Sequence, residues 1–280
     1  MHVTHAFRPD STNNSLSPDY LTPEYFQKVR FAVQEAARLG MSWWIYDEGG
    51  WPSGQALGKV TASHPELKQK RLTREIITTT DSYPVPQDAL GLVVNSTPPV
   101  FIQPGGTWIP ENPDPPAYLY RISSGGYVDL LDPDASDRFI QLTHEGYRSV
   151  LSDFIGKNVF FTFSDEPNAP NLIPAKSIPW TEGMEKLYQE RWGESLFDKL
   201  PFLFDPPGIE ASPSVAQERI KFYDLWTNRF HDSYFAFIQD WCHRSGLGSG
   251  GHLNGEDETI NVVRYGFGHA LRQLRAMDVP

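Results

Sequence analysis

Apolar positions along the 280-residue chain follow two alternating periods, and the alternation predicts the architecture. Thr22-Pro23-Glu24 is a helix start, with a capping hydroxyl and a proline in the first turn. Phe26, Val29, Val33, Ala36 and Ala37 then recur at helical spacing up to a stop at Gly40. The next run, residues 41–46, is short, apolar and aromatic, and it ends in Asp47-Glu48-Gly49-Gly50-Trp51-Pro52. Helix, glycine, apolar strand and acidic loop make one unit of a parallel sheet. The same rhythm predicts a strand at 127–131, a helix capped by Asp132-Pro133, and a strand at 159–163 that runs into Ser164-Asp165-Glu166-Pro167. It also predicts a helix over 182–192 and a long helix over 215–244, which carries Phe222, Trp226, Phe230, Tyr234, Phe237 and Trp241 as the stripe that packs on a sheet.

Both ends of the chain continue the pattern. Residues 3–7 read as a short strand that begins almost at the first residue. Residues 247–258 form a glycine-rich passage closed by Glu256, Asp257 and Glu258, followed by a helix over 261–275 and the start of a strand at 276–280. Glycine weakens a strand unless something approaches its backbone closely, so this passage is expected at the edge of a site. Residues 68–126 break the rhythm: Thr- and Val-rich pieces alternate with Pro and Gly clusters, as in a small antiparallel insertion. The fold class expected is therefore α/β, a (β/α)8 TIM-barrel type with about five to six strands present, occupying 1–280 and carrying a β-rich insertion at 68–126. A closed barrel typically needs about 250 residues without insertions, so the sequence is expected to be incomplete at its C-terminus and clipped at its N-terminus. Open edges at Val3 and Val279 would favour self-association.

Composition narrows the chemistry. The hydrophobic content of 39% is that of a globular chain, and no apolar run approaches a membrane span. A formal net charge of -11 argues against nucleic acid or an anionic membrane as partner. The 8 Trp, 12 Tyr and 17 Phe suit a carbohydrate cleft, where apolar sugar faces stack on rings, although core packing accounts for most of them. Cys242 stands alone, which removes a disulfide framework and a cysteine metal site. The first residues carry no basic and apolar signal-peptide pattern, and the compartment stays open.

Acids recur where parallel strands end: Asp47 and Glu48, Asp129, Asp165 and Glu166, and Glu256. A mouth lined with carboxylates suits glycoside hydrolysis or an oxygen-ligand metal site. No phosphate-binding glycine loop follows a strand, no GxSxG elbow is present, and no HExxH supports zinc. His252 and Asn254 flank the glycine passage and are candidates for hydrogen bonds to sugar hydroxyls. The ordinary alternatives are that Asp165 caps the next segment, Glu166 is a solvated loop acid and His252 is a packing residue.

Several stretches together carry a resemblance: MSWWIYDEGGWPSGQALGKV at 41–60, then YVDLLDP, FIQLTHEGY, TFSDEP and GGHLNGEDE. In this order they resemble the catalytic barrel of glycoside hydrolase family 106 and its α-L-rhamnosidase-like relatives, over nearly the whole chain. The resemblance implies an exo-acting enzyme that inverts a terminal α-L-rhamnoside or similar sugar of a plant or bacterial oligo- or polysaccharide. It implies Glu166 as general acid and Glu256 as general base, with Glu258 the alternative on the same side of the strand. Asp47, Glu48, Trp51, Asp165, His252 and Asn254 would then line the sugar. A dependence on Ca²⁺ is also implied, with its ligands unassigned. Two other readings compete: a carbohydrate-binding barrel or inactive fragment without turnover, and a different carboxylate-lined barrel enzyme such as a metal-assisted lyase or esterase.

Overall fold

The computed structural model describes residues 18–111, 116–169, 177–204, 212–254 and 267–280. In chain order, helix α1 (Pro23–Arg38) and strand β1 (Trp43–Tyr46) are followed by a short helix α2 (Lys59–Ala62). Six strands come next: β2 (Lys68–Ile77), β3 (Tyr83–Pro84), β4 (Gly91–Val94), β5 (Val100–Ile102), β6 (Thr107–Trp108) and β7 (Ala117–Val128). Helices α3 (Pro133–Leu142) and α4 (His144–Leu151) lead to β8 (Val159–Asp165) and β9 (Ser177–Trp180). Then come α5 (Met184–Trp192), α6 (Leu200–Leu203), α7 (Pro213–Phe230), a π-helical turn at His231–Phe235, α8 (Ala236–Arg244), β10 (Gly248–His252) and α9 (Ala270–Leu274). These elements divide into two compact units, Met1–Lys68 with Gly126–Ala169 and Thr227–Pro280, and Gln69–Gly125 with Pro170–Trp226.

The first unit is built on a parallel sheet in the order β1-β8-β10. Its helices form for local reasons. Thr22 Oγ1 accepts from the Tyr25 N–H, Pro23 stands in the first turn, and α1 buries Tyr25, Val29, Val33 and Ala36 on one face. Asp132 caps α3 in the same way by accepting from the Asp134 N–H. The helices dock on each other through rings: Tyr25 and Tyr147 share a hydroxyl–hydroxyl bond of 2.8 Å, and Phe26 meets Tyr147 edge-on at 5.3 Å. Burying each of Val33, Ile45, Phe139 and Val159 contributes about 1.5–3 kcal/mol.

Register decides what each face of the sheet carries. Trp44 pairs with Phe161 and Tyr46 with Phe163, while Gly248, Gly250 and His252 pair with Phe161, Phe163 and Asp165. The alternate set, Trp43 and Ile45 with Thr162, Ser164 and Ser249, is buried under helices: Thr162 Oγ1 lies 3.2 Å from Cys242 Sγ on α8, and Ser164 Oγ 2.7 Å from the Tyr234 hydroxyl. The glycines of β10 are required by this packing. A Cβ on Gly248 would stand 2.4 Å from the Phe161 ring, and one on Gly251 would stand 2.2 Å from the Ser164 carbonyl oxygen.

The second unit holds a five-stranded sheet in the order β5-β4-β7-β2-β9, whose β4–β5, β4–β7 and β2–β9 pairs are antiparallel. Its core joins Leu92 and Val94 of β4 with Ala117 and Leu119 of β7, Ile77, Val85, Ala89 and Trp108. Strand β9 comes from beyond residue 170 and pairs Trp180 with Lys70, a partnership that the local pattern did not predict.

Three expectations change. Residues 127 and 128 end the long strand β7, and 129–131 are a turn, so no parallel strand forms at 127–131. Among the described residues the parallel sheet has three strands, extended by a bridge from Gly250 to Val279, where an incomplete barrel of about five to six strands was expected. The long helix over 215–244 is helical throughout, but a π turn interrupts it where His231 begins the third quarter of the path. The strand expected at 3–7, with its edge at Val3, and the first part of the last helix lie outside the described residues.

Candidate active site at the carboxyl ends of the parallel strands

Strand β8 is central, so its C-terminal end lies between the loop that follows β1 and the end of β10. The loop after β1 is stitched to it by Ser53. The Ser53 N–H donates to the Asp165 carbonyl oxygen at 2.8 Å, the Asp165 N–H donates to Ser53 Oγ at 2.8 Å, and Ser53 Oγ donates to Asp47 Oδ1 at 2.7 Å. On the other side, the Glu166 N–H donates to the His252 carbonyl oxygen at 3.2 Å.

Glu48 organises the same loop. Its carboxylate accepts four backbone N–H groups: Gly49 and Leu57 on Oε1 at 2.8 and 2.6 Å, Gln55 and Ala56 on Oε2 at 3.0 and 2.7 Å. Ala56 and Leu57 have φ near +50, a left-handed geometry that turns successive N–H groups toward one anion. Burial pushes the Glu48 carboxyl up to about 7 against the pull of these four donors. At 1% exposure Glu48 acts inside the loop, not on its surface.

Asp47 is likewise enclosed, at 0% exposure. Its Oδ2 faces His144 Nε2 at 3.9 Å, and neither atom makes a hydrogen bond. Thr143 Oγ1 donates to the Phe139 carbonyl oxygen and therefore accepts from His144 Nδ1–H at 2.8 Å, which leaves Nε2 without a proton. Burial drives both partners to their neutral forms, raising the Asp47 carboxyl well above the usual carboxylate range and lowering His144 to about 3.

The accessible part of the site is Tyr46, Trp51, Asp165, Glu166 and His252. The Tyr46 hydroxyl lies 2.7 Å from Asp165 Oδ2 and 2.9 Å from the Gly50 carbonyl oxygen, and His252 Nε2 lies 2.9 Å from Asp165 Oδ1. Asp165 thus receives a donor on each oxygen and is held in place. Glu166 is placed differently. Its backbone has φ +49, a strained geometry for a residue other than glycine, of the kind held at functional sites by surrounding structure. Trp51 Nε1 donates to Glu166 Oε2 at 3.0 Å, while His252 Nε2 stands 3.7 Å from Oε1. The Trp51 indole is 46% exposed beside this carboxyl. Below them, Phe163 stacks with Tyr46 at 6.2 Å and with His252 at 6.0 Å, and half-exposed Trp44 extends the aromatic face.

The structure therefore brings Trp51, Asp165, Glu166 and His252 together, encloses Asp47 and Glu48 beneath them, and leaves Asn254 exposed just past β10. Glu256, Asp257 and Glu258 lie outside the described residues. Asp129 is buried, with Oδ1 accepting from the Leu131 N–H. Two contributors escaped the sequence reading. Alternation along β1 places Tyr46 on the face of Trp44, and this was a usable signal; nothing local marks Ser53.

Among the described residues, one group of metal-ligand side chains gathers, Asp165, Glu166 and His252, with their donor atoms within 4.8 Å of one another. Two carboxylates and an imidazole do not match calcium, which takes six to eight oxygen ligands.

No family model matches the chain, and no curated protein matches it. Among solved structures, a rhamnosidase from Novosphingobium sp. PP1Y is similar in fold, with a TM-score of 0.61 and 12% sequence identity. The match covers 96% of this chain and 44% of that one, so the chain spans less than half the length of the rhamnosidase whose fold it shares. The fold is thus mixed α/β and similar to that of this rhamnosidase structure.

Proposed function

We propose that the chain is part of a (β/α)8 catalytic barrel of a glycoside hydrolase, exo-acting and inverting on a terminal α-L-rhamnoside or similar sugar. The observation that carries this reading is Glu166: a strained residue at the end of the central parallel strand, its carboxyl fixed by an indole N–H beside an exposed aromatic surface. In this reading Glu166 protonates the leaving glycosidic oxygen as the C–O bond breaks, and ends as a carboxylate. A second carboxylate, Glu256 by resemblance, takes a proton from the water that attacks the opposite face; such a pair stands about 6.5–9.5 Å apart. Asp165, held by Tyr46 and His252, and the faces of Trp51 and His252 serve the sugar, while Asp47 and Glu48 act beneath it by shaping the loop that carries Trp51. Asn254 is assigned to the same sugar surface. The calcium implied by resemblance is assigned no ligands, since the cluster Asp165, Glu166 and His252 offers two carboxylates and an imidazole, and no step of the proposed reaction runs through a metal.

Glu166→Gln is the test. Hydrolysis of an aryl α-L-rhamnoside that needs protonation of its leaving group should fall by about 10²–10⁴-fold, with sugar binding by calorimetry retained. Unchanged turnover would remove Glu166 from the chemistry. A wild-type chain that binds sugar without any turnover would instead favour a binding barrel, the reading supported by the half-exposed aromatic face of Trp44, Tyr46 and Phe163.

A further inference from the structure

The Trp51 indole does more than offer a flat face, and its geometry points to a second role that rests on the hydrolase reading. We infer that Trp51 is the positioning residue of Glu166: its N–H selects Oε2 as the accepting oxygen and leaves Oε1 as the oxygen that carries and delivers the proton.

An indole nitrogen donates one hydrogen bond and accepts none. It stands 3.0 Å from Glu166 Oε2, a normal N–H···O distance. In a protonated carboxyl the carbonyl-type oxygen is the better acceptor, so the N–H fixes Oε2 in that role and the hydroxyl falls to Oε1. His252 Nε2 is engaged at 2.9 Å with Asp165 Oδ1 while standing 3.7 Å from Glu166 Oε1. Asp165, with Tyr46 on its other oxygen, thus draws the His252 donor away from the oxygen that must give up its proton. The bond also acts in the right direction during the reaction. As the proton leaves Oε1 for the glycosidic oxygen, negative charge spreads onto Oε2, and a neutral hydrogen bond becomes a charge-assisted one. An interaction that strengthens only as charge develops lowers the barrier without tightening substrate binding. The strained φ of Glu166 and its N–H bond to the His252 carbonyl hold the side chain where the indole reaches it.

Trp51→Phe keeps the ring and deletes the N–H; Trp51→Ala deletes both. On an alkyl glycoside, whose leaving group needs full protonation, Trp51→Phe should lower kcat by about 10–100-fold more than on a 4-nitrophenyl glycoside, with KM unchanged, while Trp51→Ala should also raise KM. Equal losses on the two leaving groups would overturn the assignment and return Trp51 to a stacking surface. A second readout needs no turnover. The Trp51 indole ¹⁵N–¹H resonance, identified by its loss in Trp51→Phe, should move to the position of a water-exposed indole in Glu166→Ala, and an unmoved resonance would again overturn the proposal. If the wild-type chain hydrolyses neither substrate, the hydrolase reading and with it proton delivery from Oε1 fail, whereas the resonance still decides whether Trp51 positions Glu166.

Discussion

Asp47 and Glu48 are neighbours in sequence and nearly alike in chemistry, yet burial assigns them different work. Asp47 continues the buried alternation of Trp43 and Ile45, so its side chain enters the helix-covered face of the sheet, where Ser53 and His144 meet it. Glu48 begins the loop and collects four of its N–H groups. Replacing Glu48 by Gln puts an NH₂ among donors and strands at least one buried N–H. We expect Glu48→Gln to cost about 2–4 kcal/mol of unfolding free energy in denaturant melts, and to release Trp51 from Glu166. A neutral result would mean that the loop holds its shape without the anion. Tyr46 and Ser53 illustrate the same point from the other side, since both contribute through bonds made far along the chain to Asp165.

At the level of elements, β8 matters because it is central: one strand presents Asp165 and Glu166 between a loop from β1 and the end of β10. Strand β10 can lie this close only because it is glycine-rich. Gly251→Ala would force a Cβ to 2.2 Å from the Ser164 carbonyl oxygen at a φ of +154, and backbone cannot swing aside as a side chain can. The expected cost is about 1–3 kcal/mol, with His252 displaced from Asp165. Gly126→Ala, where nothing lies within 4 Å, is the control and should change stability by less than about 0.5 kcal/mol. Equal melting temperatures for the two variants would refute the close-packing explanation. The glycine passage, expected at a site edge because something approaches its backbone, is indeed approached, but by the Phe161 ring and the Ser164 carbonyl.

For the whole molecule, the buried pair Asp47–His144 ties stability to pH. His144 is held down to about 3 when folded, against an ordinary value of 6.5. The unfolded chain therefore binds more protons than the folded one between these limits, and stability rises with pH from about 3 to about 6.5 on account of this residue. The contribution is on the order of a few kcal/mol. The raised carboxyls of Asp47 and Glu48 act oppositely, since the folded state then binds the extra protons, and their contribution falls as pH rises above the ordinary carboxylate range. The stability difference between wild type and His144→Gln should accordingly be smallest near pH 3, grow towards pH 6.5 and then level off. A difference independent of pH would show that His144 does not change protonation on unfolding. Among the described residues no helix is long and apolar enough to cross a membrane.

The sequence by itself determined whatever rests on neighbours along the chain. Thr22 and Asp132 cap their helices, apolar stripes define the buried faces of α1 and the path from α7 to α8, and the acids follow the apolar runs of β1 and β8. Caps and periodicity are short-range effects, and they are read directly from residue order. Tertiary structure alone decided the pairings. Residues 177–180 join β2, residues 127 and 128 extend β7 rather than start a parallel strand, and Trp51 reaches Glu166 across 115 positions. The same long-range contacts decided that Glu48 faces inward and Trp51 outward, although both stand in one loop. Such contacts depend on how strands align and which backbone groups still need partners once they have aligned, and no local pattern carries that information.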